Sequence, residues 1–231
     1  MSIIPPHRIE RTKNRTSRAV LDGETIVIRL ARHLSPMEER EHVNILLRRM
    51  QNYLIREAKK TSVDPFRPLL AGENDLLLTL ATGQSCRFLL EAGRRTSARR
   101  IPEGWKISIG PKIDRRALHR FLWKLLCEHQ QGAIEELIRE INTRTLQVRI
   151  QDVRLRYAVS QWGSCSSIGR ISLNPALLFL PQELLEYVCI HELAHRLHRG
   201  HTKRYWREVE RAFPAYRHVR TQLRSIRLRS L

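Results

Sequence analysis

The five residues His191-Glu192-Leu193-Ala194-His195 constrain this chain more than any other stretch. Two histidines four apart on a helix stand on one face, about one turn apart, so both imidazoles reach a single ion. Glu192 projects beside the same face, where a carboxylate can meet a metal-bound water without taking a coordination place. A few protein ligands, one open position and a base for the water's proton are what metal-assisted hydrolysis needs. The surroundings read as a helix over residues 181–198, with Leu184, Leu185, Val188, Ile190, Leu193, Ala194 and Leu197 as its apolar residues. Pro181 at the first helical position and Glu183 in the first turn are start signals, and Gly200 is a stop signal.

A third ligand must come from His198, His201, Glu208 or Glu210. His198 shares the helical face but lies roughly 10 Å along the axis from His191, which is cramped for three rings converging from a straight helix. His201 follows the glycine, where the chain can turn and approach from a new direction, and it is the expected third ligand.

Residues 161–206 carry further motifs in order: Trp162-Gly163-Ser164-Cys165-Ser166-Ser167, Ile171-Ser172-Leu173-Asn174, Leu180-Pro181, Tyr187-Val188, the histidine motif, His201 and Trp206. Together they resemble the YgjP-like metallopeptidases, a group also described as SprT-like or M48-like zinc proteases. The resemblance extends more loosely back to about Arg18. It implies a cytosolic bacterial protein with one zinc ion on His191, His195 and His201 and with Glu192 as catalytic base. Gln161 departs from the pattern, since the family usually carries a basic residue before Trp-Gly-Ser. The step from His195 to His201 also matches the third histidine of the metzincin type, although His198 stands at that pattern's glycine.

Taken in order, residues 1–17 read as a basic flexible tail, and residues 18–30 as a hairpin around Asp22-Gly23. Ser35-Pro36-Met37-Glu38 is a capping box opening a helix to about Lys59, with Val43, Leu46, Leu47, Met50, Leu54 and Ile55 as its core stripe. After a proline-bearing loop, Leu76, Leu78, Leu80, Phe88 and Leu90 alternate as strands, and Ile107 and Ile109 follow; Arg94-Arg95 and Arg99-Arg100 lie in a polar connection. A long helix is predicted over residues 114–142, with Leu118, Phe121, Leu122, Leu125, Ala133, Leu137 and Ile141 inward and Gln131-Gly132 as a point of kinking or division.

Residues 148–162 and 170–173 read as two strands. A strand edge beside a metal helix can hold an extended peptide, and Trp162, Gly163 and Ser164 lie at the right point in the order to line that cleft. Trp162 as an ordinary core aromatic is an equal reading. Thr202 caps a further helix with Tyr205, Trp206, Val209 and Phe213 inward. Residues 215–231 form a basic amphipathic pattern, with Arg217, Arg220, Arg224 and Arg227 facing water opposite Val219, Leu223 and Ile226.

The expected fold is therefore α+β. A β-rich region with one long helix spans 18–110, and a zincin-like metallopeptidase core spans 111–214 (long backing helix, small sheet with an exposed edge strand, His-Glu-x-x-His helix). The basic C-terminal helix closes the chain.

Composition narrows the partners. No apolar run approaches the roughly 20 residues that span a bilayer, and Ile3-Ile4 is too short for a signal-peptide core. Cys86, Cys127, Cys165 and Cys189 are scattered, which argues against disulfides or a cysteine zinc site and fits a reducing cytoplasm. The net charge of +19, with 35 arginines against 7 lysines, attracts phosphate and acidic surfaces. The basic residues are spread along the chain, so solvated surface outweighs nucleic-acid binding as their explanation.

The function expected is zinc-dependent hydrolysis of a peptide or protein substrate, with Tyr205, His198 or Tyr216 as a second electrophile. The alternatives are a nucleoside triphosphate pyrophosphatase, since the same chemistry can cut a phosphoanhydride, and a nucleic-acid-associated protease or binding protein.

Overall fold

A computed structural model describes residues 6–23 and 25–228, so Ile3-Ile4 and the last residues of the expected C-terminal helix lie outside the described residues. The chain is α+β, with small sheets and helices, and divides into two units, residues 1–60 and 61–231.

In the first unit, β1 (His7–Arg11) lies parallel to β3 (Thr25–Leu30), which pairs antiparallel with β2 (Arg18–Asp22). The β2–β3 hairpin turns through Gly23 at φ +60°, a left-handed conformation that glycine adopts without cost. β1 falls within the stretch expected to be a tail. It carries no hydrophobic alternation because its side chains stand at the surface, and charge pairs hold it instead: Arg8 with Asp22 at 3.0 Å and Arg29 with Glu10 at 2.9 Å. The helix α1 (Pro36–Ala58) opens on the expected box, with Ser35 accepting from the Glu38 amide and Glu38 accepting from the Ser35 amide at 2.7 Å, a cap worth about 1 kcal/mol. Its Val43, Leu46, Leu47, Met50 and Leu54 cover Ile26, Ile28 and Leu30 of β3. Ile55, expected in that stripe, is 48% exposed, because it follows Leu54 by about 100° around the helix.

The second unit starts with β4 (Thr61–Val63) and the single turn α2 (Arg67–Leu70). Four strands follow, β5 (Asp75–Thr79), β6 (Ser85–Ala92), β7 (Ser97–Ile101) and β8 (Gly104–Ile109), in spatial order β5-β6-β8-β7. β7 contains Arg99 and Arg100, which patterning placed in a connection; their side chains are solvated, so no apolar period marks the strand. This sheet packs on α3 (Arg115–Arg144), where Phe66 meets Phe88 and Trp123 edge-on at 5.1 Å and the Trp105 indole donates to the Leu125 carbonyl at 3.0 Å. Sheet and helices share one core.

α3 is one uninterrupted helix capped by Asp114, without a break at Gln131-Gly132. Its buried face runs through Leu122, Leu126, Ile134, Ile138 and Ile141, while the expected Ala133 and Leu137 are half-buried beside it. The Gln131 side chain donates to the Val153 carbonyl at 2.7 Å and accepts from the Leu155 amide at 3.0 Å. It thereby occupies the outer edge of β9 (Asp152–Leu155). β9, β10 (Gly163–Cys165) and β11 (Arg170–Leu173) form a sheet ordered β10-β11-β9, which leaves β10 as the other edge. The strand expected over 148–162 is thus four residues long. Beyond it, Asn174 fixes an irregular segment, donating through Nδ2 to the carbonyls of Ala158 (2.6 Å) and Gln161 (3.0 Å).

A 3-10 turn (Pro175–Phe179) leads into α4 (Gln182–Ala194), then α5 (Lys203–Ala212), α6 (Tyr216–Arg224) and β12 (Ile226–Leu228). The basic C-terminal helix is shorter than expected, because the backbone from Ile226 pairs in parallel with β4. α4 is buried on most sides, against α3, α5, α6 and the β9–β11 sheet, which fits its nearly all-apolar sequence. No helix among the described residues is long and apolar enough to cross a membrane, and the four cysteines are free.

Candidate metal centre

α4 carries His191 and Glu192 in its last turn and ends at Ala194, with His195 as its C-cap. It stops before the His198 and Gly200 expected to close it. The chain tightens through i→i+3 bonds, Arg196 to Leu193 and Leu197 to Ala194, and the Arg196 guanidinium pins this turn to the carbonyls of Arg149 (3.1 Å) and Ser167 (2.7 Å). The early exit lets residues 198–201 double back over the helix end. Thr202 then caps α5 by accepting from the Tyr205 amide, as expected.

The turn brings His201 to the two helix histidines. One ring nitrogen from each of His191, His195 and His201 lies within 4.8 Å of the other two, a group able to hold a metal ion. Nε2 of His201 and Nε2 of His191 are 3.2 Å apart, close to the separation of about 3.3–3.4 Å between two nitrogens bound to one tetrahedral zinc. The remaining ring nitrogens have other partners. His195 Nδ1 meets the His198 carbonyl at 3.2 Å; a carbonyl only accepts, so this nitrogen carries a proton, which directs Nε2 to be the metal-binding atom. Tyr205 donates its hydroxyl proton to the His191 carbonyl at 2.9 Å and therefore accepts from His191 Nδ1 at 2.7 Å, which leaves Nε2 bare. Burial, with His195, His201 and Arg220 nearby, pushes the His191 pKa down to about 3; burial, His195 and Arg220 also lower that of His201. Both rings are thus neutral at neutral pH, the form that binds metal.

Glu192 is 5% exposed and sits beside the triad, and burial pushes its carboxyl up to about 8. Strand β10 presses directly on it. A Cβ added at Gly163 would stand 2.6 Å from Glu192 Oε1, so any larger residue there would displace the Glu192 side chain. Gly163 and Ser164 line a cleft of about 470 Å³ together with His191, Glu192, His195 and His201, while Trp162 is half-buried against the core and its carbonyl accepts from the Asn174 amide.

The other candidates for ligand or electrophile are elsewhere. Glu208 pairs with Arg211 at 2.7 Å and Glu210 with Arg217 at 3.3 Å. The Tyr205 hydroxyl is committed to His191, and Tyr216 is buried and stacked on Trp206. His198 contributes its backbone carbonyl to His195. Arg199, which the sequence pattern did not single out, is on the cleft wall. Trp206 stacks on His201 with ring centroids 5.5 Å apart, and the Arg220 guanidinium sits 4.3 Å above the centroid of Trp206. Arg220 was expected to face water; it is half-buried because the indole face attracts the cation.

Comparison with solved structures finds the crystal structure of the metallopeptidase zymogen of Pyrococcus abyssi abylysin, 32% identical, matching 39% of this chain and 90% of that one with a TM-score of 0.36. Comparison with curated protein sequences finds no match. Residues 13–226 match the family described as YgjP-like, metallopeptidase domain. That span takes in nearly the whole sequence and every residue of the histidine cluster, so the chain belongs to the YgjP-like metallopeptidase family.

Proposed function

We propose that this protein is a zinc peptidase of zincin-like build, with α3 as the backing helix and β10 as the substrate-binding edge. The convergence of His191, His195 and His201 beside the buried Glu192 carries this reading. A zinc ion on the three histidines would supply Lewis acidity, acidifying water and polarising the scissile carbonyl. Glu192 takes the proton from the attacking water and returns it to the leaving amine. A nearby cation favours the carboxylate form over the neutral form that burial alone imposes. An extended peptide adds to the outer edge of β10 through the backbone of Gly163 and Ser164, with Trp162 supporting that strand from beneath. Arg199, in the cleft wall and without an acidic partner among the described residues, is the cation available to the developing negative charge.

The test is substrate and metal dependence. An unfolded protein substrate is expected to be cut, cutting is expected to stop on chelation and return with zinc, and nucleoside triphosphates are expected to survive. Triphosphate hydrolysis with intact protein substrate would overturn the assignment. A second result concerns Tyr205, which orients His191 and stays out of the chemistry. Tyr205→Phe is expected to weaken zinc binding by about 10–100-fold, measured against a competing chelator, with kcat close to wild type at saturating zinc. Were its hydroxyl the electrophile, kcat would fall and zinc affinity would hold.

A further inference from the structure

A second cavity, of about 540 Å³, adjoins the metal cleft, and the two share Gly163 and Ser164. Arg116, Arg120 and Arg156 line it together with Ser160, Ser172 and Tyr157, and no acidic residue among the described residues does. None of the three guanidinium groups has a salt-bridge or hydrogen-bond partner among the described residues, although many other arginines of this chain do: Arg87 holds Asp75, and Arg144 holds Glu186 at 2.9 Å.

Arg116 and Arg120 are one turn apart on α3, where like charges repel, and they lie near the end of the helix whose exposed N–H groups already carry positive charge. Arg156 leaves the end of β9 toward the same space. Three unpaired guanidinium groups on a shared concave wall suit a carboxylate, which each can grip through two parallel hydrogen bonds. The shared residues belong to β10, the strand proposed to hold the peptide, so the cavity is continuous with the cleft where the substrate would lie.

We infer that the cavity lined by Arg116, Arg120 and Arg156 is a specificity subsite that binds a carboxylate of the peptide substrate close to the scissile bond. The inference rests on the peptidase reading for its substrate class and adds to it a preference for acidic sequence. The carboxylate comes from an aspartate or glutamate side chain or from a peptide C-terminus.

Binding to the zinc-loaded Glu192→Gln protein separates this proposal from the hydrolase reading. The probes are fluorescein-labelled peptides with a C-terminal amide that differ only by glutamate or glutamine at one scanned position. The glutamine peptide with a free C-terminal carboxylate forms the second arm. Glutamate at one or two adjacent positions is expected to tighten binding about tenfold, and Arg116→Ala/Arg120→Ala is expected to remove the difference. A gain confined to the free C-terminus would identify the terminal carboxylate as the ligand. Arg94→Ala/Arg95→Ala removes the same charge outside the cavity and is expected to keep the preference. Equal binding of all peptides overturns the subsite, and so does loss of the preference in both double variants, which would reduce it to net-charge attraction. Arginine-dependent binding of a nucleoside triphosphate without discrimination among peptides also overturns it. Turnover by the wild-type protein is read separately: peptide discrimination without cleavage keeps the subsite and discards the hydrolase.

Discussion

Glu192→Gln is expected to keep a full complement of zinc while peptide turnover falls by about 10²–10⁴-fold, the usual range for loss of a general base. Glutamine preserves the shape of the side chain, which matters because β10 lies against it, close enough that a methyl group at Gly163 would displace it. Burial already disfavours the charged form of this carboxyl, so a neutral amide is not expected to cost stability. The loss should appear in kcat with KM unchanged, since the proton transfer belongs to the transition state. Activity equal to wild type would refute the role of base. Loss of zinc together with activity would mean that the carboxylate is itself a ligand.

The parts of this site that were legible in the sequence are the parts whose physics is local. Two histidines on one helical face, Thr202 before α5 and the Ser35 box each act within one turn, and short-range spacing reports them. What escaped depends on neighbours far along the chain. Gly200 looks like the helix stop, but the helix ends at Ala194 where Arg196 reaches back to Arg149 and Ser167. Tyr205 passes for a catalytic hydroxyl until its position against the His191 ring is known, because the same side chain serves either role. β1 and β7 are strands held by backbone pairing, β1 by charge as well, and most of their side chains stand at the surface, so no apolar period marks them. The arginines of the second cavity are single letters in an arginine-rich chain. They become a group only when the fold sets the start of α3 beside the end of β9.

Of His201 and His198, the larger loss of metal is expected at His201. His201→Ala removes a ring whose Nε2 faces that of His191 at 3.2 Å, leaving two imidazoles and solvent to hold the ion. The loss of affinity should exceed the roughly 10–100-fold typical of an outer partner, and peptide cleavage should fall with it. His198→Ala makes the matching comparison. His198 serves through its backbone carbonyl, which accepts from His195 Nδ1, and alanine retains that carbonyl. Its zinc content is therefore expected to stay near wild type. Zinc content after dialysis measures the difference directly, and the melting temperature measures it independently, since a ligand that binds only the folded state raises Tm with its concentration. Wild type and His198→Ala should gain Tm as zinc is added, and His201→Ala should not. The reverse order would place the third ligand on the helix face and undo the assignment of His201.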